Sequence, residues 1–233
     1  MKILALETST EYCSVALWQD GITLARNELA GQKHSEMLMP MLDALLQDAG
    51  CGIRDMDGIA FGSGPGSFTG VRIACGVAQG LALGADLQVA GISTLLALAE
   101  GSGHARVIAA LDARMGEIYC AAYEKQGEGW MEVFVPCLCK PEEAPAVTGG
   151  GWFGAGSGFA AFSDSLQKRY AGQLAGMDAD AVPRAEHIAA LGALRFAGGL
   201  GMDAASAQPF YLRDKVALKT AEREQLAAEK AGR

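Results

Sequence analysis

Apolar residues fall at 3–6 and again at 13–18, with the polar stretch Glu7-Thr8-Ser9-Thr10-Glu11 between them. A third run follows at 22–28, after Gln19-Asp20-Gly21. Runs of this length, two of them joined by Asp-Gly, predict a meander of three strands. The spacing then changes. From 35 to 49 runs a long, largely apolar segment, with Glu36, Asp43 and Gln47 leaving a narrow polar stripe, and Gly50 closes it, which predicts a helix. Residues 57–61 predict a short buried strand. It empties through Gly62-Ser63-Gly64-Pro65-Gly66-Ser67-Phe68-Thr69-Gly70 into a helix over 71–83, and 88–92 supply another strand. A meander followed by alternating helices and strands indicates an α/β unit.

The second half repeats this order less clearly, with strands predicted at 107–112, 117–123 and 131–135. A glycine-rich turn begins after Val147, a helix is predicted at 185–197, and a charged amphipathic helix at 214–230. The repetition predicts a duplicated architecture divided near Gly101-Ser102-Gly103: an N-terminal lobe over 1–100, a C-terminal lobe over 101–213 and a helical tail over 214–233.

Composition narrows the class. Of 233 residues 50% are hydrophobic and 20% charged, the balance of a globule with a sizeable core rather than of a disordered, collagenous or disulfide-built chain. With 27 acidic against 19 basic residues the formal charge is −8, and no basic stripe is visible. Strong direct nucleic-acid binding is therefore not expected, and an RNA role would need a partner to supply the charge. The N-terminal apolar run is too short for a signal segment and no apolar run reaches about 18 residues, so a cytoplasmic protein with reduced thiols and no membrane contact is expected. The six cysteines form no CxxC pair and His34, His104 and His187 are far apart in sequence, so no metal site is expected. Cys137 and Cys139 read as a core or incidental pair.

Glycine is the outlier, at 31 residues. The loop at 62–70 resembles an anion cradle opening a helix, but it lacks the Gly-Lys-Ser/Thr of a P-loop, and Thr69 stands where a dinucleotide fingerprint needs its last glycine. A tight turn capped by Ser67 or Thr69 and a phosphate contact are both open readings. In the helix that follows, Gly76, Gly80 and Gly84 lie four apart, in line with Arg72, leaving one face bare. Each interior glycine costs about 1 kcal/mol relative to alanine, so close packing, on the protein's own sheet or against a partner helix, is expected there. The first helix carries more apolar surface than one core contact requires, with Met37, Met41 and Leu45 on it, and methionine suits an adaptable interface. A subunit contact through Met37, Met41, Leu45, Arg72, Gly76 and Gly80 is the resulting expectation, against a monomer that buries both faces internally. Glu7, Thr8, Ser9 and Thr10 form a candidate turn for nucleotide phosphates, and the glycine cluster at 149–158 is either an adenosine-contact turn or a flexible tight turn. No nucleophile elbow or Cys–His dyad offers hydrolytic chemistry.

Taken together, Leu6-Glu7-Thr8-Ser9-Thr10, Lys33-His34-Ser35-Glu36 with Pro40, the run from Gly62 to Arg72, Gly91-Ile92-Ser93-Thr94-Leu95, and Pro209-Phe210-Tyr211-Leu212-Arg213 with Val216-Ala217 resemble the TsaB (YeaZ) family of the tRNA threonylcarbamoyladenosine machinery. The resemblance implies an ASKHA fold, the duplicated two-lobe α/β architecture of actin-like ATPases, sugar kinases and Hsp70. It also implies that the catalytic subunit is a paralogue, TsaD, which holds a metal through a His-x-x-x-His motif. The corresponding stretch here, residues 92–98, has no histidine. The implied role is a non-catalytic scaffold that activates a TsaD-type partner through the helices at 35–49 and 71–83. A homodimer would form when the partner is absent, a TsaE-type ATPase would join the wider complex, and ATP or ADP would sit, if anywhere, at the joint with the partner. The rival readings are an independent ASKHA-type ATPase or small-molecule kinase and, behind it, a glycoprotease-like peptidase.

Overall fold

The computed structural model describes residues 1–213; the helix expected at 214–230 and the tail to 233 lie outside the described residues. The chain opens with the meander β1 (Lys2–Glu7), β2 (Tyr12–Gln19) and β3 (Ile22–Leu29), followed by α1 (His34–Asp48), β4 (Gly58–Gly64), α2 (Phe68–Ala85), β5 (Val89–Ser93) and α3 (Thr94–Gly101). Asp20 and Gly21, both at positive φ, make the two-residue hairpin turn that Asp-Gly announces. The order then recurs without an α-helix before the fourth strand and with two short ones after it: β6 (Arg106–Arg114), β7 (Glu117–Gln126), β8 (Gly129–Cys139), β9 (Trp152–Ala155), α4 (Ser157–Ala161), α5 (Ser163–Arg169), β10 (Leu174–Asp178) and α6 (Ala185–Ala197).

Two five-stranded sheets result, ordered β3-β2-β1-β4-β5 and β10-β9-β6-β7-β8. In each, a three-strand antiparallel meander is extended by two strands running parallel to its first member. This repeated topology, carried by mixed α/β elements, is the two-lobe ASKHA arrangement. Strand alternation divides the first core. Leu4, Leu6, Val15, Leu17, Ile59 and Phe61 face α1 and α2 on the outer side, whereas Ile3, Ala5, Ala16 and Ala60 face Ile188, Ala189 and Leu191 of α6 on the inner side. In the second sheet, Val107, Ala109, Ala121 and Tyr123 meet Leu95 and Leu98 of α3, and Ile108, Cys120 and Ala122 meet Trp152, Phe159 and Tyr170.

Two elements differ from their reading in the sequence. The helix at 185–197, which follows the second sheet in the chain, packs on the first, and Gly192 lets it settle there because a Cβ at that position would lie 2.5 Å from that of Ala60. Within the glycine cluster at 149–158, residues 152–155 are strand β9, paired with β6 and β10, with Trp152 buried against the core. The cluster is therefore a structural strand and its flanking turns, rather than one flexible turn.

Candidate functional site

Three places gather chemistry-bearing residues. The first is where the β1–β2 turn meets the loop from β4 to α2. Glu7, Thr8 and Ser9 are 1%, 0% and 3% exposed. A Cβ at Gly62 would lie 1.9 Å from Oε2 of Glu7, and one at Gly70 would lie 1.9 Å from the carbonyl oxygen of Thr8. Glycine is required at both positions because backbone there touches the turn directly. Hydrogen bonds tie the loop in place. Thr8 Oγ1 donates to Gly70 O at 2.7 Å, Ser67 N donates to Ser9 O at 2.8 Å, and Thr94 Oγ1 donates to Pro65 O. Ser67 caps α2 by accepting from Gly70 N, so the tight-turn reading of this loop describes it correctly.

The turn expected to face phosphates is thus closed by the chain itself. Thr8 is consumed by Gly70. Thr10, half-buried, accepts from the backbone N–H of Tyr12 at 3.3 Å. Glu7 accepts from Ser9 N at 2.5 Å through Oε1, while its buried Oε2 has no partner among the described residues. Burial pushes the Glu7 carboxyl up to about 7, against the opposing pull of its hydrogen bonds with Ser9 and the Thr8 backbone. Burial, with Glu7 nearby, also pushes the Cys13 thiol up to about 11.

The second place is the outer face of α1 and α2. On α2, Arg72, Gly76, Gly80, Leu83 and Gly84 are exposed, and a Cβ on any of the three glycines would meet nothing within 4 Å among the described residues. The bare stripe does not pack on the protein's own sheet, which takes the opposite face through Val71, Ala74, Ala78 and Ala82. By length and composition this 18-residue helix is apolar enough to cross a membrane, although Thr69, Arg72 and Gln79 interrupt its apolar run and a third of it is buried. Arg72 is held at the end of the stripe. Its Nε donates to the Tyr211 hydroxyl at 2.6 Å, and its guanidinium lies 3.6 Å from the centre of the Phe68 ring. Beside it a cleft of about 430 Å³ runs between α2 and the segment at Ala207, Pro209 and Tyr211.

Helix α1 presents less surface than its composition suggests. Met41 and Leu45, expected at a subunit contact, belong to the core at 8% and 0% exposure. The stripe Leu38, Met41, Leu42 and Leu45 is the one that α1 turns to the sheet, as a 3.6-residue period requires. Met37 is half-buried against that core, and Met39 is the methionine that reaches solvent. Between the two helices Met39, Leu42, Leu46, Ile53 and Leu81 line an apolar hollow of about 310 Å³.

The third place is one that sequence reasoning misses. Cys120 of β7 and Cys137 and Cys139 of β8 bring their Sγ atoms together, Cys120 lying 3.5 Å from Cys137 and 3.6 Å from Cys139. The pair read as incidental is two-thirds of a thiol cluster. Hydrogen bonding from Cys120 and Cys139 pushes the Cys137 thiol down, and the same bond with Cys137, together with burial, pushes Cys120 up. A pair of residues two apart on one strand is the available signal; its cross-strand partner depends on a register that the sequence does not display. The histidines stay apart: His34 is 3.2 Å from Tyr12 O, His104 stacks on Phe153, and His187 lies 3.6 Å from Glu186.

Proteins of known family share both the sequence and the fold. The family model of TsaD, tRNA N6-adenosine threonylcarbamoyltransferase, matches residues 25–221. The tRNA threonylcarbamoyladenosine biosynthesis protein TsaB of Escherichia coli K12 is 42% identical over 227 residues, covering 94% of this chain and 97% of that protein. TsaB of Haemophilus influenzae Rd is 39% identical over 232 residues, covering 94% of this chain and 96% of that protein. Among solved structures, YeaZ from Pseudomonas aeruginosa superimposes with a TM-score of 0.84 at 39% identity, covering 91% of this chain and 99% of the other.

Proposed function

Because the chain belongs to the TsaB family of tRNA threonylcarbamoyladenosine biosynthesis proteins, its role lies in that tRNA modification, and we propose that it fills the role as a non-catalytic partner that docks on and activates a TsaD-type enzyme. The observation that carries this reading is the open stripe of Gly76, Gly80 and Gly84. Three glycines in a helix interior cost about 1 kcal/mol each, and within the described residues nothing closes over them to offset it. A helix laid in that groove could approach backbone to backbone. Leu83 at 63% exposure, Met39 and the apolar hollow between α1 and α2 would bury with it. Arg72, pinned by Tyr211 and Phe68, gives the contact a fixed polar end.

The enclosed Glu7–Ser9 turn supports the non-catalytic half of the proposal, since its three residues are buried, Thr8 Oγ1 donates to Gly70 O and Glu7 Oε1 accepts from Ser9 N. In the absence of the enzyme a second copy of the chain would compete for the same groove. The test is to mix the purified chain with a TsaD-type enzyme and measure both complex formation and the gain in tRNA modification. Gly80→Leu fills the groove, and its Cβ meets nothing within 4 Å among the described residues, so it should abolish the complex while the chain stays folded. Binding with unchanged affinity would reject α2 as the docking face, and neither complex nor gain with the native chain would reject the partner role.

A further inference from the structure

The thiol cluster of Cys120, Cys137 and Cys139 has no part in the docking face or in the closed turn. We propose that these three sulfurs are the ligands of a single thiophilic d10 cation, of the class of Cu(I) and Zn²⁺. All three Sγ atoms lie within 4.8 Å of one another, and two of the separations are 3.5 and 3.6 Å. Sulfurs held about 2.3 Å from one tetrahedral or trigonal ion stand about 3.7–4.0 Å apart, so the two contacts of Cys120 would open by only a few tenths of an ångström to admit an ion.

The ligands are placed by sheet backbone rather than by a loop. Cys137 and Cys139, two apart, point to the same face of β8, and Cys120 is the register partner of Cys137 on β7. Two register shifts in this hairpin, between Cys120 and Ala122 and between Ala122 and Tyr123, are needed to bring that pairing about. Bulges commonly re-aim side chains at functional places. Access is one-sided: Cys120 is buried, while Cys137 and Cys139 are half-exposed, which leaves a route for an ion and room for a further ligand. Three soft thiols, with no histidine or carboxylate converging on them among the described residues, suit a soft cation and not magnesium or calcium. Each metal–sulfur bond forms as an S–H bond gives its proton to solvent, with no change of oxidation state.

The two members of the class differ in what they need. Three thiolates complete a trigonal Cu(I) site. Zinc takes a fourth ligand, which water can supply from the half-exposed side of Cys137 and Cys139.

The experiment uses the full chain, reduced with a phosphine and kept anaerobic. It is titrated separately with Cu(I), with Zn²⁺ and with Co²⁺ as the spectroscopic stand-in for zinc. Bound metal is counted, and alkylation of each cysteine is mapped by mass spectrometry. One equivalent of Cu(I) or Zn²⁺ per chain is expected, protecting Cys137 and Cys139 from alkylation while Cys51 stays reactive. The double variant Cys137→Ser/Cys139→Ser should weaken binding by more than about 100-fold. No stoichiometric binding of either metal, protection confined to cysteines outside the cluster, or undiminished binding by a folded double variant would overturn the site. If the double variant does not fold, the alkylation map of the native chain decides alone: unprotected Cys137 and Cys139 at saturating metal reject it.

Discussion

Replacing Glu7 by glutamine tests the burial of this carboxyl directly. In the folded chain its proton is held up to about 7 against an ordinary value of 4.5, chiefly because burial penalises the charge. A carboxyl raised by folding favours the folded state while both states are protonated and loses that advantage as pH climbs. Stability should therefore be greatest below about pH 4.5, as far as this group is concerned, fall between 4.5 and 7, and level off above. Each tenfold change in a proton's binding constant is worth about 1.4 kcal/mol, so the fall across this range is about 3 kcal/mol. Glutamine keeps the acceptor for Ser9 N–H and removes the charge. Its amide nitrogen takes the place of Oε2, which has no partner in the native chain among the described residues, so one unsatisfied atom replaces another. Glu7→Gln should gain about 1–3 kcal/mol over the native chain at pH 8, allowing for the orphaned donor, and little or nothing at pH 5. Urea unfolding at pH 5, 6, 7 and 8, followed by circular dichroism, measures the difference. A variant less stable than the native chain at pH 8, or a difference that does not grow between pH 5 and pH 8, would refute the argument that the Glu7 charge is buried at a cost.

Two glycines should respond in opposite directions. Gly70→Ala places a Cβ 1.9 Å from a backbone oxygen of the Thr8 turn, which cannot rotate away, so a loss of at least about 3 kcal/mol or failure to fold is expected in the same unfolding assay. Gly80→Ala meets nothing among the described residues and replaces a poor helix former in a helix interior, so it should add about 1 kcal/mol to stability, seen as a raised melting temperature.

The first sheet is legible because its strands alternate strictly: odd residues of β1 go to α6 and even ones to α1 and α2, and Asp20-Gly21 fixes the hairpin. The helices are legible as periodic segments, yet periodicity does not name the surface each will meet. For that reason Met41 and Leu45 read as interface while they fill the core, and α6 gives no sign of crossing back to the first sheet. The Glu7 turn reads as an open polar loop because the residues that enclose it, Gly62 and Gly70, are more than fifty positions away and have no side chains to advertise a contact. The thiol cluster is hidden by backbone irregularity. Had the register Gln126↔Gly129 continued unbroken, Cys120 would face Val135, and only the two shifts bring it opposite Cys137.

The return of α6 to the first sheet sets an order on synthesis. When β5 has been made, the outer side of that sheet already has α1 and α2, but Ile3, Ala5, Ala16 and Ala60 wait for residues 185–197 to emerge. At about 5–20 residues per second, the hundred or so residues between leave this apolar strip bare for roughly 5–20 s on every translating ribosome. The first half of the chain is therefore not an independently finished unit during synthesis, and a ribosome stalled before α6 would hold out a sticky sheet rather than a folded lobe.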